Sequence, residues 1–95
     1  MDKYLIVLEK SSTGFSAYSP DIWGCITTGE TLEETRNNMQ SALSFHLQAI
    51  ANDNEPIPQP RSIESYVDAL ENSEGEEFFL TYINVQSVLP EFVIA

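Results

Sequence analysis

Few side chains of this sequence could perform covalent or acid–base chemistry. It contains one histidine, His46, and one cysteine, Cys25. A thiol or hydroxyl nucleophile needs a base within hydrogen-bond reach, and no third residue that would orient such a pair is evident. His46 lies on or beside the apolar stripe of a predicted helix, where histidine is more often a packing or rim residue than a base. We therefore predict no catalytic residue, and a residual hydrolase that uses His46 or a carboxylate pair is the weaker hypothesis.

The sequence also indicates no metal or cofactor site. The segment 53–55 (Asp-Asn-Glu) resembles a calcium loop only superficially, because the remaining ligand positions are missing. The glycines are dispersed rather than gathered into a phosphate-binding loop. Adjacent acids such as Glu33 and Glu34 point apart on a helix, so a cap or a solvated edge is their expected role. We expect no cofactor, and we expect Cys25 to be a buried apolar thiol in a reducing compartment.

The charge balance restricts the possible partners. The 95 residues include four Lys and Arg against fifteen Asp and Glu, which gives a formal net charge of −11. Nucleic acids and anionic membranes bind clustered cations, and the few cations here are scattered. A basic partner would be attracted and steered, although acidity that serves only solubility is an equal alternative. Without a long apolar stretch or a signal peptide, the chain is predicted to be cytoplasmic, with no membrane span.

Three strands are predicted in the first part of the chain, and the third of them contains Cys25. Segments rich in apolar and β-branched residues predict strands over 4–9, 15–19 and 23–28. Gly14 lies in the first turn, where it can take positive φ, Pro20 breaks the second strand, and Gly24 can supply a bulge. Trp23 allows two interpretations: an anchor for a partner, or a cap over the small core beneath the hairpin.

A long helix follows, and its start is the sharpest local signal in the sequence. Thr31 and Glu34 have the spacing of a capping box, and the acids of this first turn lie where the helix dipole favours them. Apolar residues then recur every three or four positions, which predicts a helix over 32–51 with one core-facing stripe. Phe45 lies partly off that stripe, so we expect it to cover a sheet edge or a neighbouring subunit.

The second half contains a proline-rich linker, a short helix and a last strand. The linker spans 52–60, and Ser62 is expected to cap a helix over 63–70 with its apolar residues on one side. An apolar run predicts a strand over 77–88. Because that run is apolar on both faces, we expect the strand to be central in its sheet or to lie at a subunit interface.

These elements predict an α+β fold of order β-β-β-α-α-β: an antiparallel three-stranded meander, a long helix, a short helix and a final strand, in two layers. One domain is expected over 1–88, followed by an apolar tail over 89–95. The uncovered sheet face and edges predict a symmetric dimer or higher homo-oligomer. Its expected interface residues are Phe78, Phe79, Tyr82 and Phe92.

The segment from Phe15 to Thr35 resembles the signature of HicB-like antitoxins. It combines a tyrosine-containing strand, the pattern Ser-x-x-x-Pro-Asp-x-x-Gly-Cys, a Thr-x-Gly-x-Thr corner and a Glu-Glu pair that opens a helix. The resemblance extends over roughly residues 1–88. The motif residues expected to shape the structure are Pro20, Gly24, Cys25, Gly29 and Thr31.

This resemblance implies an antitoxin that binds and neutralises a small basic HicA-type toxin ribonuclease. It implies a partial ribonuclease-H-like domain that lacks the catalytic carboxylates of that fold. The acidic composition agrees independently, because an inhibitor of an RNA-binding enzyme should mimic a polyanion. The toxin contacts that we predict are Asp21, Trp23, Glu30, Glu33 and Glu34.

One departure from the family concerns DNA. Many members continue into a helix-turn-helix or ribbon-helix-helix domain that binds operator DNA, whereas this sequence ends at Ala95 without basic residues beyond the last strand. We therefore predict no autonomous DNA binding. Trp23 stands where the family often has proline, which leaves open a changed partner surface. The alternative function is an orphan oligomeric module without a toxin.

Overall fold

A computed structural model describes residues 3–73 and 76–89. The α+β class and the predicted element order are confirmed. The elements are β1 (Lys3–Lys10), β2 (Phe15–Ser19), β3 (Ile22–Gly29), α1 (Leu32–Asn52), α2 (Ile63–Asn72), β4 (Phe78–Asn84) and a 3₁₀ turn (Val85–Ser87). The predicted tail lies outside the described residues except for Leu89, and so does the expected interface residue Phe92.

The four strands form one antiparallel sheet in the order β3-β2-β1-β4. β1 pairs with β2 on one side and with β4 on the other, and it is buried from Tyr4 to Leu8. β4 is an edge strand of this sheet, so the prediction of a central position for it is wrong. Ile83 on its inward side is buried in the core, whereas Phe79, Leu80 and Tyr82 remain 37–44% exposed. The alternative, a subunit interface, stays a prediction.

The core lies between α1 and one face of the sheet. The buried apolar residues of α1 recur every four positions, as the stripe predicted, and they pack against alternate residues of β1, which all point to the same face. These side chains are Met39, Leu43 and Leu47 from α1 and Tyr4, Ile6 and Leu8 from β1. Burial of each is worth about 1.5–3 kcal/mol, so this contact holds the domain together.

Two side chains of α1 donate hydrogen bonds to the edge strands β3 and β4. The Arg36 guanidinium donates to the Tyr82 carbonyl oxygen of β4 at 3.0 Å, and the Asn38 amide donates to the Thr28 carbonyl oxygen of β3 at 2.9 Å. The free polar groups of an edge strand invite pairing with other chains. These two bonds occupy one such group on each edge.

The corner between β3 and α1 is built by the motif residues. Thr31 Oγ1 accepts the Glu34 N–H at 3.0 Å, and the buried Thr35 hydroxyl donates to the Thr31 carbonyl oxygen at 2.6 Å. One half of the predicted capping box is thus present. Gly29 is required by space, since a Cβ there would lie 2.8 Å from Thr35 N. A Cβ on Gly14 would overlap the Gly29 carbonyl, so close packing and not positive φ explains glycine at that position too.

α2 has its apolar residues on one side, as predicted, and that side points outward. It buries the small residues Ser65 and Ala69, and its large apolar side chains, which do share one side, point outward at 40–69% exposure. They are Ile63, Tyr66, Val67 and Leu70. Ser62 is the N-cap residue of α2, as predicted, but its side chain makes no cap hydrogen bond.

The second face of the sheet is partly occupied by α2. Tyr18 points away from the core face that its neighbour Ala17 joins. Burial raises the pKa of Tyr18, as do the charges of Glu9 and of Asp68 on α2, while the nearby Asn72 side chain of α2 lowers it. Tyr18 and Asn72 also line the same cavity. α2 therefore approaches this face near Tyr18, and the sheet carries a helix on each side.

The proline-rich linker crosses one end of the sheet and is held there by a buried phenol. Tyr4 is fully buried, and its hydroxyl donates to the Pro58 carbonyl oxygen at 2.7 Å. Burial, with a smaller contribution from the Asp21 charge, raises the pKa of Tyr4 to about 12. Ile57 packs against the core beside this contact.

We expect Tyr4→Phe to lower the free energy of unfolding by about 0.5–1.5 kcal/mol through the lost hydrogen bond. Because Tyr4 ionises near 10.0 when unfolded and near 12 when folded, the folded chain holds the proton longer. The stability of the wild type should therefore fall as pH rises through this interval, and Tyr4→Phe should reduce that fall. Urea titrations at several pH values measure both effects, with the exposed Tyr66→Phe as control. An unchanged pH dependence in Tyr4→Phe would contradict this assignment.

We expect Gly29→Ala to lower the free energy of unfolding by about 1–3 kcal/mol, because the added methyl group overpacks the start of α1. Chemical denaturation measures the change. The control Ser41→Ala, at an exposed position of α1, should remain within about 0.5 kcal/mol of the wild type. A Gly29→Ala chain as stable as this control would show that the corner relaxes at little cost.

Candidate functional site

A bulge in β3 presents Trp23 to solvent. Tyr18 of β2 pairs with Ile26, but the next residue, Ser19, pairs with Ile22, so three residues of β3 have no partner in β2. Gly24, in the middle, adopts φ +84°, which favours glycine and confirms the predicted bulge. Trp23 is 93% exposed, so the interpretation of this residue as a cap over the core is wrong. Ile26, the next outward residue of β3, is 70% exposed.

The loop before Trp23 is held by a buried ionic contact. The Asp21 side chain is 0% exposed, and its Oδ1 accepts from Arg61 Nε at 2.9 Å and from the Ser65 hydroxyl at 2.6 Å. Arg61 also donates to Asp68 at 2.7 Å and to the Pro20 carbonyl oxygen at 2.9 Å. The hydrogen bonds that the Arg61 guanidinium donates to Asp21 and Asp68 raise its pKa. The Asp21 carboxylate therefore fixes the loop. Its predicted contact with a toxin stays a prediction.

The Cys25 side chain turns inward from the bulge, as predicted. It is 4% exposed within the core cluster, and burial raises the pKa of its thiol. A reactive cysteine requires the opposite shift. The His46 ring lies near Gly24, with Cε1 4.0 Å from where a Cβ would stand. Among the bonds of the described residues, none joins His46 to the thiol, so the geometry does not support a nucleophile–base pair.

Three predicted contact residues lie at the other end of β3. Glu30, Glu33 and Glu34 are exposed around the start of α1. Seven positions separate Trp23 from Glu30, which corresponds to about 20 Å along a strand. The aromatic and acidic contacts therefore do not form one cluster. They lie at the two ends of the edge strand β3, and this set of residues is here called the β3 ridge: Trp23, Ile26, Glu30, Glu33 and Glu34.

The predicted dimer residues of β4 lie on both sides of the strand. Phe79 contacts Phe15 edge-to-face with ring centroids 6.3 Å apart, which anchors it partly in the sheet. Tyr82 carries the Lys3 ammonium 4.6 Å above its ring, a favourable cation–π geometry. Phe78 is half-buried. Their role in an interface stays a prediction.

Some surface features could not be found from the sequence. Ile26 follows the core residue Cys25 and therefore points to the other side of β3. Its exposure depends on β3 being an edge strand, which is a matter of strand order. The clamp on Asp21 depends on Arg61, which lies 40 positions away. The one hint of this clamp in the sequence is its shortage of Lys and Arg. An arginine in so acidic a chain has many carboxylates with which it can pair, so the partner itself could not be predicted.

Other classes of site have no support in the described part of the chain. Within residues 3–73 and 76–89 there is no group of three or more His, Cys, Asp or Glu side chains that could hold a metal ion. None of the described helices is long and apolar enough to cross a membrane. A shallow cavity of about 340 Å³ lies beside the bulge, lined by Tyr18, Trp23, Ile26 and Asn72 among others.

Sequence relatives place the chain among phage and bacterial proteins. It is 34% identical over 82 residues to an uncharacterised 14.9 kDa protein from the rep–hol intergenic region of Haemophilus phage HP1, a match that covers 86% of this chain and 59% of the phage protein. A UPF0150 protein of Synechocystis is 30% identical over 57 residues, which are 59% of this chain and 72% of that protein. The chain thus spans little more than half of the phage relative.

Solved structures share the fold. A chain of the HicA3 and HicB3 toxin–antitoxin complex is 30% identical with a TM-score of 0.72, and the match covers 86% of this chain and 95% of that one. The crystal structure of antitoxin HicB3 is 29% identical with a TM-score of 0.68, covering 93% of this chain and 66% of that one. The N-terminal domain of Burkholderia pseudomallei antitoxin HicB, at 22% identity and a TM-score of 0.64, also has this fold.

A family model described as HicB-like antitoxin of bacterial toxin–antitoxin systems matches residues 4–91. That range includes every described element except the first residue of β1. Together with the bulge and the capped corner that the motif residues build, this match shows that the chain belongs to the HicB-like antitoxin family.

Proposed function

We propose that this chain binds and neutralises a small basic toxin of HicA type, and that the β3 ridge is its contact surface. The observation that carries the proposal is the β3 ridge. At one end of this edge strand an aromatic side chain is exposed, and at the other end an acidic helix begins. A 30% identical chain has been solved in a complex of HicA3 with HicB3, which supports a toxin as partner. The antitoxin family supports a regulatory role without chemistry of its own.

The apolar end of the β3 ridge supplies affinity. Tryptophan is enriched among residues that dominate binding energy, and Trp23 offers almost its whole side chain. The bulge and the Asp21–Arg61 clamp hold its backbone, so little conformational entropy is lost on binding. Ile26, three residues further along β3, extends the apolar contact over the adjacent cavity.

The acidic end of the β3 ridge supplies attraction at a distance. With a net charge of −11, the domain draws a basic protein toward it, and the glutamates at the start of α1 concentrate negative charge at one place. Arg61 is paired with Asp21 and Asp68, so its charge is balanced within the clamp. Such charges act mainly on the rate of association.

The proposed mechanism is occlusion. A toxin seated along about 20 Å of the β3 ridge would have its basic surface covered by carboxylates, so a polyanionic substrate could not reach that surface. We further propose that this chain alone does not bind operator DNA, because its four Lys and Arg stand against fifteen acids. The alternative of an orphan module without a toxin predicts that no HicA-type protein associates with the chain.

We expect Trp23→Ala to weaken binding of a HicA-type toxin by about 30-fold or more, the effect of losing a residue that dominates an interface. Co-purification followed by calorimetry on the purified pair measures it. The matched control is Phe45→Ala, which removes an aromatic side chain that is 81% exposed on a different element. If no HicA-type protein co-purifies, or if both variants bind equally, the proposed contact surface is wrong.

We expect the double change Glu33→Gln and Glu34→Gln to slow toxin association several-fold and to flatten its salt dependence, while dissociation changes little. Loss of the helix-dipole interactions should also lower the free energy of unfolding by about 0.3–1 kcal/mol per residue. Stopped-flow kinetics over a range of salt concentrations measures the association rate. The control, Glu64→Gln with Glu71→Gln on α2, removes equal charge away from the β3 ridge. An equal slowing in both pairs would assign the effect to net charge alone.

A further inference from the structure

Part of the backbone of β3 lies outside the hydrogen-bond ladder of the sheet. Trp23, Gly24 and Cys25 have no partner in β2, and all three line the shallow cavity of about 340 Å³ beside the bulge. A backbone carbonyl that is taken out of water and left without a donor costs free energy. A partner that covers this cavity must therefore bring hydrogen-bond donors to the bulge.

The charges around this cavity are mostly acidic. None of the described side chains that line it is charged. Burial and the charges of Glu9 and Asp68 raise the pKa of Tyr18, one of the lining residues, so both carboxylates act on the cavity wall. The Arg61 guanidinium pairs with two carboxylates, those of Asp21 and Asp68, and its single charge offsets only one of them. The side chain that enters the cavity should therefore be positively charged.

Two neutral side chains at the cavity suit a planar cation in particular. The Trp23 ring is 93% exposed, so almost none of it is covered by the chain itself. Tryptophan attracts cations over its ring more strongly than other aromatic residues do, and a guanidinium also stacks on such a ring as a flat group. Asn72, the exposed last residue of α2, brings an amide oxygen to the same cavity. The cavity thus combines an aromatic surface with hydrogen-bond acceptors from two elements.

We infer that this cavity receives an arginine side chain of the toxin. Its guanidinium stacks on the Trp23 ring and donates to carbonyl oxygens of the bulge and to the Asn72 side-chain oxygen. A guanidinium has five N–H donors in one plane and no acceptor, which matches a site made of acceptors. Trp and Arg are both enriched among the residues that dominate interfaces, and such residues tend to pair across them. The inference rests on the proposed function, because a basic toxin supplies the arginine.

Two other occupants fit the site less well. A lysine ammonium is a compact and strongly hydrated charge, so it cannot stack on the ring or reach several acceptors in one plane. An apolar side chain would cover the carbonyl groups of the bulge without offering them a donor, which costs free energy for each group. Binding of either in preference to arginine is a competing outcome of the following experiments.

Titration of the full chain with N-acetyl-arginine methylamide tests the inference without a toxin. The chain has one tryptophan, so the NMR signal of its indole N–H reports on Trp23 alone, and the side-chain amide signal of Asn72 reports on the other wall. Both signals should shift and saturate. The uncharged N-acetyl-citrulline methylamide should bind about tenfold more weakly, and the lysine counterpart about several-fold more weakly. A titration without saturable shifts, or equal binding of either control probe, would overturn the inference.

We expect Asn72→Leu to weaken binding of a HicA-type toxin by about tenfold through the lost charge-assisted hydrogen bond. The matched control is Asn37→Leu, at an exposed position of α1, which should bind as the wild type does. Calorimetry on the purified pair measures both, and circular dichroism shows whether both variants keep the fold. Exchange of single toxin arginines for glutamine should then identify one whose loss weakens the wild-type complex but has little further effect in the Asn72→Leu chain, since both changes remove one contact.

A toxin complex that tolerates Asn72→Leu, or in which no toxin arginine is coupled to Asn72, would overturn the inference and leave the β3 ridge as the contact surface. If no HicA-type toxin binds the wild type, the proposed function fails, and the toxin as the source of the arginine fails with it. The titration with the arginine probe then still decides whether the cavity binds a guanidinium group.

Discussion

The burial of the α1 stripe against β1 is the contact on which the rest of the domain depends. A chain of this size buries a limited fraction of its surface, so one helix laid on one sheet supplies most of the apolar core. The same helix then performs further tasks. Its side chains reach the edge strands β3 and β4 on opposite sides, and its first turn closes on Gly29, where no side chain would fit. Loss of α1 packing would release both edges and the corner together.

Three of the four Lys and Arg side chains make contacts within the domain. These contacts influence the charge of the exposed surface. Arg61 joins Asp21 to Asp68, Arg36 caps β4, and Lys3 lies over Tyr82. Most acids of the described residues have no such partner and face solvent. The domain therefore shows negative charge over much of its described surface. Exposed apolar side chains interrupt that charge at the Trp23 end of the β3 ridge, on the outer side of α2 and along β4.

The buried carboxylate of Asp21 is costly, and its benefit is geometric. Its Oδ1 is bonded to Arg61 and Ser65, but its Oδ2 is buried without a hydrogen-bond partner among the described residues. A buried ion pair often contributes little net stability and can instead specify one arrangement of the chain. Here it connects the loop before Trp23 to α2 and to the linker, and so fixes the direction in which the bulge points. Replacement of this network by apolar residues could preserve folding while losing that direction.

Local signals in the sequence determined the element order, the start of α1 at Thr31 and the bulge at Gly24, because hydrophobic period, capping and φ preference act within a few residues. The family signature lies in the same local segment. The tertiary structure alone decided which face of each element is covered. It turned the apolar side of α2 outward, placed β4 at an edge, buried Asp21 and exposed Trp23. These outcomes depend on strand order, on register and on contacts between residues far apart in sequence, and a change of one position in register reverses which side chains of a strand face the core.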